Sequence, residues 1–319
     1  MIGFGIEQYG DEQQIKEIHV NTGKLGRNDL LISIKASGVN PVDWKVRKGL
    51  LQNDFPYQLP QILGWDAAGT VKEVGEAVAN FQAGNDVFFR PEMEKQGTYA
   101  DEIIVPSSLV APMPKNLTHI EAASLPLVGL TVWQALIEVG NVKEGDHVLI
   151  LAGSGGIGSF AIQLAKARGA YVAATTSKKN ENFVKDLGAD EVLLYDSTFF
   201  DTITSFDFML DTLGGEAYRD AIRWMRRGGK VATIISERDA IRPANVDEYE
   251  KEKLLKVEFV FTRPDGESMN HIKVLVEAGH IRPIIASVFP MTVEGVRKAH
   301  LTSQTGRTRG KIVLNRRDG

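Results

Sequence analysis

The residues of this 319-residue chain best placed to do chemistry are glycines. Gly153, Ser154, Gly155, Gly156, Ile157 and Gly158 form a G-x-G-x-x-G. A short apolar run of strand length, residues 147–151, precedes it, and Phe160, Ile162, Leu164 and Ala165 follow at helical spacing. A glycine turn set between a strand and a helix is the context in which this motif cradles a dinucleotide pyrophosphate. The first glycine permits the tight turn, the second lets backbone approach the phosphates, and the third lets helix and strand pack closely. Unpaired N–H groups and the positive end of the helix dipole then face the phosphates.

The end of the next strand decides which dinucleotide. An acid about 20 residues beyond the glycines would bind a ribose 2′-hydroxyl. The positions available are Thr175, Thr176, Ser177, Lys178 and Lys179, with no acid among them. A 2′-phosphate wants donors and positive charge, which Ser177 and Lys178 supply, so the expected cofactor is NADP. Metal chemistry finds less support. The chain has no cysteine, which removes thiolate zinc sites, disulfides and a cysteine nucleophile together. Its six histidines, at 19, 119, 147, 271, 280 and 300, show no ligand spacing.

These residues need a scaffold. From residue 147 strands and helices alternate. Strands are expected at 147–152, 171–176, 191–195, 206–211, 230–235 and 258–262, with helices at 157–168, 180–187, 216–226 and 246–256. Such alternation predicts a parallel sheet with helices on both faces. Six strands suit a complete doubly wound dinucleotide fold. Residues 1–122 read differently. LLISIKA at 30–36 alternates apolar and polar, Pro41 starts a short helix, 51–63 reads as loop, and 67–74, 86–89 and 100–105 are further strands. Short strands with glycine punctuation suggest a β barrel or sandwich. An apolar helix is expected over 121–139. A tail with a helix at 268–278, a strand at 285–290, a helix at 293–303 and a strand at 311–314 is expected to rejoin the first domain. The domains are therefore 1–122 with 263–319, and 123–262.

Composition bounds the function. Apolar content of 43% and charged content of 24% are ordinary for a globular protein. A net charge of −4 argues against nucleic acid as the main partner. No apolar stretch reaches membrane-spanning length, and MIGFGIEQYG does not read as a signal peptide. A cytoplasmic location is the expectation.

The signature around the glycine turn resembles that of the zinc-independent quinone oxidoreductase branch of the medium-chain dehydrogenase/reductase superfamily. It comprises Gly145, Asp146, Leu149, Gly153, Ser154, Gly155, Gly156, Gly158, Gln163 and Lys166. Gly64 to Gly69 with Val74-Gly75, Leu125-Pro126 with Leu130 to Trp133, Leu187 to Asp190, Asp211 to Gly215, Gly228 to Lys230 and Thr308 to Lys311 also match that family's patterns. Asn85 departs from it, standing where the family usually has aspartate. The resemblance implies an α/β protein with a GroES-like mostly-β catalytic domain and a Rossmann domain built on a six-stranded parallel sheet.

Zinc-dependent relatives hold their catalytic metal at places occupied here by Asn40 and by Trp65-Asp66. The resemblance therefore implies no metal. It places the nicotinamide near Thr131, the loop after Asp211 and the strand around Phe261, with Val128 or Phe261 flanking the ring. Tyr195 matches the position that closes over the adenosine phosphate, and Arg309 joins the cofactor set. Hydride passing to a quinone or to the β-carbon of an enone leaves negative charge on oxygen, which a preorganised donor should stabilise. Asn40, Lys45 and Tyr57 are the candidates. The implied activity is NADPH-dependent reduction of quinones or α,β-unsaturated carbonyls, with small-molecule partners and a homodimer as the assembly. The apolar EFVFT at 258–262, at a sheet edge, supplies a physical reason for pairing. A 2-enoyl thioester reductase and a non-catalytic NADPH-binding protein are the alternatives.

Overall fold

The computed structural model describes residues 1–21, 23–195, 205–236, 243 and 245–316. They divide into two compact units, Met1–Leu130 with Arg263–Gly319, and Thr131–Thr262. Residues 123–130 group with the first unit, for a local reason. The backbone N–H of Leu127, in the helix Pro126–Trp133, donates to the buried Asp66 carboxylate at 2.6 Å. No described helix is long and apolar enough to cross a membrane.

The second unit is a six-stranded sheet. Its strands in spatial order are Glu191–Leu194, Tyr171–Thr176, His147–Ile150, Phe206–Asp211, Met225–Thr233 and Lys256–Phe259. Every pairing is parallel. Numbered along the chain, that order is 3-2-1-4-5-6, the doubly wound dinucleotide order, which reverses beside the first strand. The central strands are apolar on both faces, as a sheet covered on both sides requires. Around them Leu149, Leu151, Ala173, Met209, Val231 and Ile222 pack into one buried cluster.

Several elements here differ from expectation. The helix at 216–226 is only Gly215–Ala221, and its successor strand begins early, at Met225. The register jumps between Phe206↔Met225 and Phe208↔Lys230, and Gly228 in the left-handed region absorbs the extra residues. The edge strand is Lys256–Phe259 instead of 258–262.

The first unit is built on a seven-stranded sheet. Its spine is the 11-residue strand Asp29–Val39, which pairs antiparallel with Ala67–Val74, Glu102–Pro106 and Lys311–Asn315. Asp86–Phe89 and Val110–Pro112 extend it on one side, and Ile285–Pro290 forms the other edge. The tail thus supplies two strands and the helices Gly266–Glu277 and Val293–Gln304 to this unit. A second, three-stranded sheet of Lys16–His19, Ile2–Ile6 and Gln61–Ile62 escapes sequence reading, which places a loop over 51–63. Glycines at 3 and 5 punctuate the strand Ile2–Ile6. A side chain at Gly5 would lie 2.0 Å from the Gln61 carbonyl oxygen, so glycine there permits close pairing and does not signal a turn. The helix expected at 121–139 is three pieces, His119–Ala123, Pro126–Trp133 and a π-helical segment Gln134–Val139.

Candidate functional site

The nucleotide unit presents the glycine turn at the end of the strand His147–Ile150. Ala152 enters it at φ 56°, a left-handed conformation that a non-glycine residue adopts only under constraint. The Ala152 N–H donates to Thr175 Oγ1 at 2.9 Å, and the Gly153 N–H to the Thr175 carbonyl at 2.8 Å. Gly155 caps the helix Gly156–Ala167. A Cβ at Gly155 would meet nothing closer than Ala152 O at 3.5 Å, so the backbone here is open to an incoming group. A Cβ at Gly158 would lie 2.2 Å from Ala152 O, so the third glycine is needed for packing. These are the contacts the motif requires of a pyrophosphate cradle. Ile157, half-buried, lies in the first turn of the helix between them.

The flanking signature residues hold the turn in place. Lys166 Nζ donates to both Asp190 oxygens, at 2.9 and 2.8 Å, and to Ala170 O, and Asp190 Oδ2 also accepts the Val172 N–H. Gln163 Nε2 bonds the Ser159 carbonyl within the helix. Asp146 accepts from the Lys143 N–H in the turn before the strand.

Beside the turn is a pocket of hydroxyls. Ser154 Oγ accepts from Thr176 Oγ1 at 3.2 Å and from Asn180 Nδ2 at 3.0 Å. With both acceptor positions used, its own O–H is left to donate outward. Ser177 caps the short 3-10 turn Lys178–Asn180, and the exposed Tyr195 follows the next strand, its N–H on the Thr176 carbonyl. Lys178 Nζ stands 2.6 Å from Glu181 Oε2, and Lys185 holds the other oxygen of that acid at 2.8 Å. Those two lysines hold the Glu181 carboxyl well below the usual range, at about 2. Sequence reading missed this acid, which competes with any phosphate for Lys178.

At the same C-terminal edge of the sheet, on the neighbouring strand, buried Asp211 accepts the Leu213 and Gly214 N–H groups and the Thr233 hydroxyl. Thr131 and Thr262 share a hydrogen bond at 2.6 Å, and Phe261 is half exposed. Val128, buried in the first unit, and the exposed Arg309 complete the expected cofactor set.

The first unit contains a buried polar network. Asn40 stands just before the helix Pro41–Arg47 and is 2% exposed. Its Nδ2 donates to Asp66 Oδ2 at 2.8 Å and its Oδ1 accepts from Lys311 Nζ, which leaves one amide N–H. Lys311 Nζ also donates to Asp66 Oδ2 and to Val39 O, both at 3.2 Å. Burial raises the Asp66 pKa, and Lys311 and Asn40 oppose that shift. Asp43 accepts the Asn40 N–H at 2.7 Å and the Tyr99 hydroxyl at 2.6 Å on one oxygen. Its other oxygen is buried with no partner, and burial pushes its carboxyl up to about 7.

Lys45 is half-buried on the same helix. Tyr57 packs its ring 6.1 Å from Trp65 and 6.3 Å from Phe55, with its hydroxyl buried and unpartnered. Burial raises the Tyr57 pKa far above neutrality, so the hydroxyl stays protonated and able to donate. Sequence reading missed Asp43, Tyr99 and the role of Lys311. Asp43 had a signal, the acid three residues after a capping asparagine.

Comparison with known proteins agrees with this architecture. Residues 26–115 match the alcohol dehydrogenase GroES-like domain family, and residues 187–314 match the zinc-binding dehydrogenase family. The chain is 34% identical to the mitochondrial NAD(P)H oxidoreductase RTN4IP1 of Mus musculus, over 90% of this chain and 82% of that protein. It is 33% identical to the 2-methylene-furan-3-one reductase of Solanum lycopersicum, over 99% of this chain and 79% of that protein. The solved structure of the quinone oxidoreductase from Coxiella burnetii superposes with a TM-score of 0.86 at 31% identity, over 99% of both chains.

Proposed function

Because the chain belongs to the quinone oxidoreductase branch of the medium-chain dehydrogenase/reductase superfamily, and is an oxidoreductase with a nicotinamide-cofactor fold, we propose that it is an NADPH-dependent reductase of quinones or α,β-unsaturated carbonyls that works without zinc. One observation carries the choice of cofactor. The end of the second strand of the sheet offers Ser154, Thr176, Ser177 and Lys178 around an open backbone, with no acid at 175–179. Ser154 and the glycine turn would hold the pyrophosphate, and Ser177, Lys178 and Tyr195 the 2′-phosphate. When bound, the reduced nicotinamide supplies hydride. The chain's own task is to orient the acceptor and to meet the charge on its oxygen, for which the spare Asn40 N–H is the donor.

Donor chemistry supports zinc-free action. A zinc site needs imidazole, thiolate or carboxylate ligands converging tetrahedrally. At the places relatives use stand an amide, an indole and a carboxylate already bonded to Lys311, Asn40 and the Leu127 N–H. That set does not fit zinc. The cysteine-free chain is consistent with a reducing compartment, and we keep the cytoplasm as our reading.

Oxidation of NADPH with a panel of quinones, short 2-alkenals and enoyl thioesters tests the reading. Turnover of a quinone or alkenal that survives a chelator is expected. No turnover with any acceptor, or one tightly held zinc whose removal abolishes activity, would overturn it. Lys178→Glu should weaken NADPH about tenfold more than NADH, because it replaces a charged phosphate contact on an exposed loop. Equal wild-type affinity for both cofactors contradicts the NADP assignment.

We also propose a homodimer paired through the edge strand Lys256–Phe259. All of its residues are exposed, and Phe259 and Phe261 are 49% and 50% accessible. An uncovered apolar edge invites a second copy across a two-fold axis. Light scattering at micromolar concentration should give twice the chain mass of 35.1 kDa, and Phe259→Asp should halve it. A wild-type mass of one chain rules the dimer out.

A further inference from the structure

Arg90 is buried to 2% exposure; Asp66, Asp43 and Glu94 act on it electrostatically, but none of them pairs with it directly. It follows the strand Asp86–Phe89, whose register sets Phe89 opposite Ala67. Continuing that antiparallel register brings Arg90 opposite Asp66 and Pro91 opposite Trp65. Arg90 Nε is buried with no acceptor, and Nη1 reaches only the Pro91 carbonyl, at 3.5 Å. Among the described residues no carboxylate lies within ion-pair distance of it.

The acids nearby are committed elsewhere. Asp66 is paired with Lys311, and Asp43 accepts from the Asn40 N–H and the Tyr99 hydroxyl. Glu94 is exposed to solvent. A guanidinium cannot shed its proton to escape burial, so Arg90 stays charged with no carboxylate bonded to it.

The same region has further orphaned donors. The Tyr57 hydroxyl and the Trp65 indole N–H are buried without partners, and their rings are in contact. Arg90 Nε, the Tyr57 hydroxyl and the Trp65 indole N–H each lack an acceptor within hydrogen-bond distance. What they lack is a compact, negatively charged group with several lone pairs. A neutral carbonyl offers one oxygen. A carboxylate offers two oxygens with about four acceptor sites, and it matches a guanidinium bidentately.

We infer that Arg90, Tyr57 and Trp65 form a carboxylate-binding corner, and that the acceptor this chain reduces carries an acid group. The inference rests on the reductase reading for its second half only. The binding corner stands on the geometry of the first unit alone.

Calorimetric titration of the full chain with trans-cinnamate and with its neutral isostere cinnamamide tests the corner without requiring turnover. Cinnamate should bind at least about tenfold more tightly than the amide, since the charged, bidentate contact is available only to the acid. Arg90→Met should erase the preference. Arg90→Lys should keep only part of it, because a point charge replaces a planar fork. Equal affinities in the wild type, a preference that survives Arg90→Met, or no binding of either compound at millimolar concentration would overturn the corner. Should Arg90→Met fail to fold, Tyr57→Phe decides, with a several-fold loss for cinnamate expected and no loss overturning. For the second half, an enone carrying a carboxylate should show a kcat/KM about tenfold above its methyl ester, and parity would overturn it. Cinnamate binding in a chain that oxidises NADPH with no acceptor would sink the reductase reading and leave the corner intact.

Discussion

Gly158→Val is expected to abolish cofactor binding, weakening NADPH by at least about a hundredfold, and to destabilise the nucleotide unit by about 1–3 kcal/mol, as overpacking against fixed atoms does. The clash is with main chain. A Cβ at this position lies 2.2 Å from Ala152 O and 2.7 Å from Gly153 Cα. No rotamer relieves it, so the helix start must move and the turn with it. Gly155→Ala provides the contrast. Its nearest neighbour would be 3.5 Å away, ordinary contact, so thermal stability should stay near that of the wild type. NADPH affinity should nevertheless fall, because the methyl occupies the space into which phosphate comes. Titration of both variants, with calorimetric melting alongside, separates packing from binding. A Gly155→Ala protein that binds NADPH like the wild type would remove the cradle assignment.

Lys311→Met carries the second large effect. The ammonium and the Asp66 carboxylate are 3.2 Å apart, with side chains 7% and 0% exposed. Removing one member of a buried pair leaves an uncompensated charge and costs about 3–5 kcal/mol. For a unit of this size that lowers the melting temperature on the order of 10 °C. Asn40 should feel it as well, because Lys311 anchors its Oδ1. The double variant Lys311→Met/Asp66→Asn should recover part of the loss, since no buried charge remains. Differential scanning calorimetry reads both, and a Lys311→Met transition at the wild-type temperature would mean the pair contributes nothing.

Sequence and structure agree best where one local pattern decides the outcome. The six parallel strands announced themselves as apolar runs, and the glycine turn as a fixed spacing between strand and helix. Agreement failed where glycine served pairing, as at Gly5, and where glycine spread a register shift, as at Gly228. The buried network was legible only in part. Asn40 and Tyr57 were visible as isolated donors, but Lys311 lies 271 residues from Asn40 along the chain, and only the sheet brings them together. Arg90 gave no signal, because arginine before proline after an apolar run reads as a strand end. Its meaning depends on which acids around it are already engaged, and that is a property of three dimensions. Lys178 shows the reverse case, with local sequence exposing the lysine but not the hold Glu181 has on it.

The first unit is interrupted by the second, and this has a consequence for the order of synthesis. A ribosome releases residues 131–262, a complete parallel sheet, before the strands Ile285–Pro290 and Lys311–Asn315 exist. Until then the long strand Asp29–Val39 has a bare side where Lys311–Asn315 will pair, and Asp66 lacks its Lys311 partner. The nucleotide unit is therefore the first able to fold during translation, while the earlier-made unit waits, with an unpaired strand edge that chaperones must shield. A ribosome stalled shortly before codon 311 would display one finished unit beside an unfinished neighbour that was begun first.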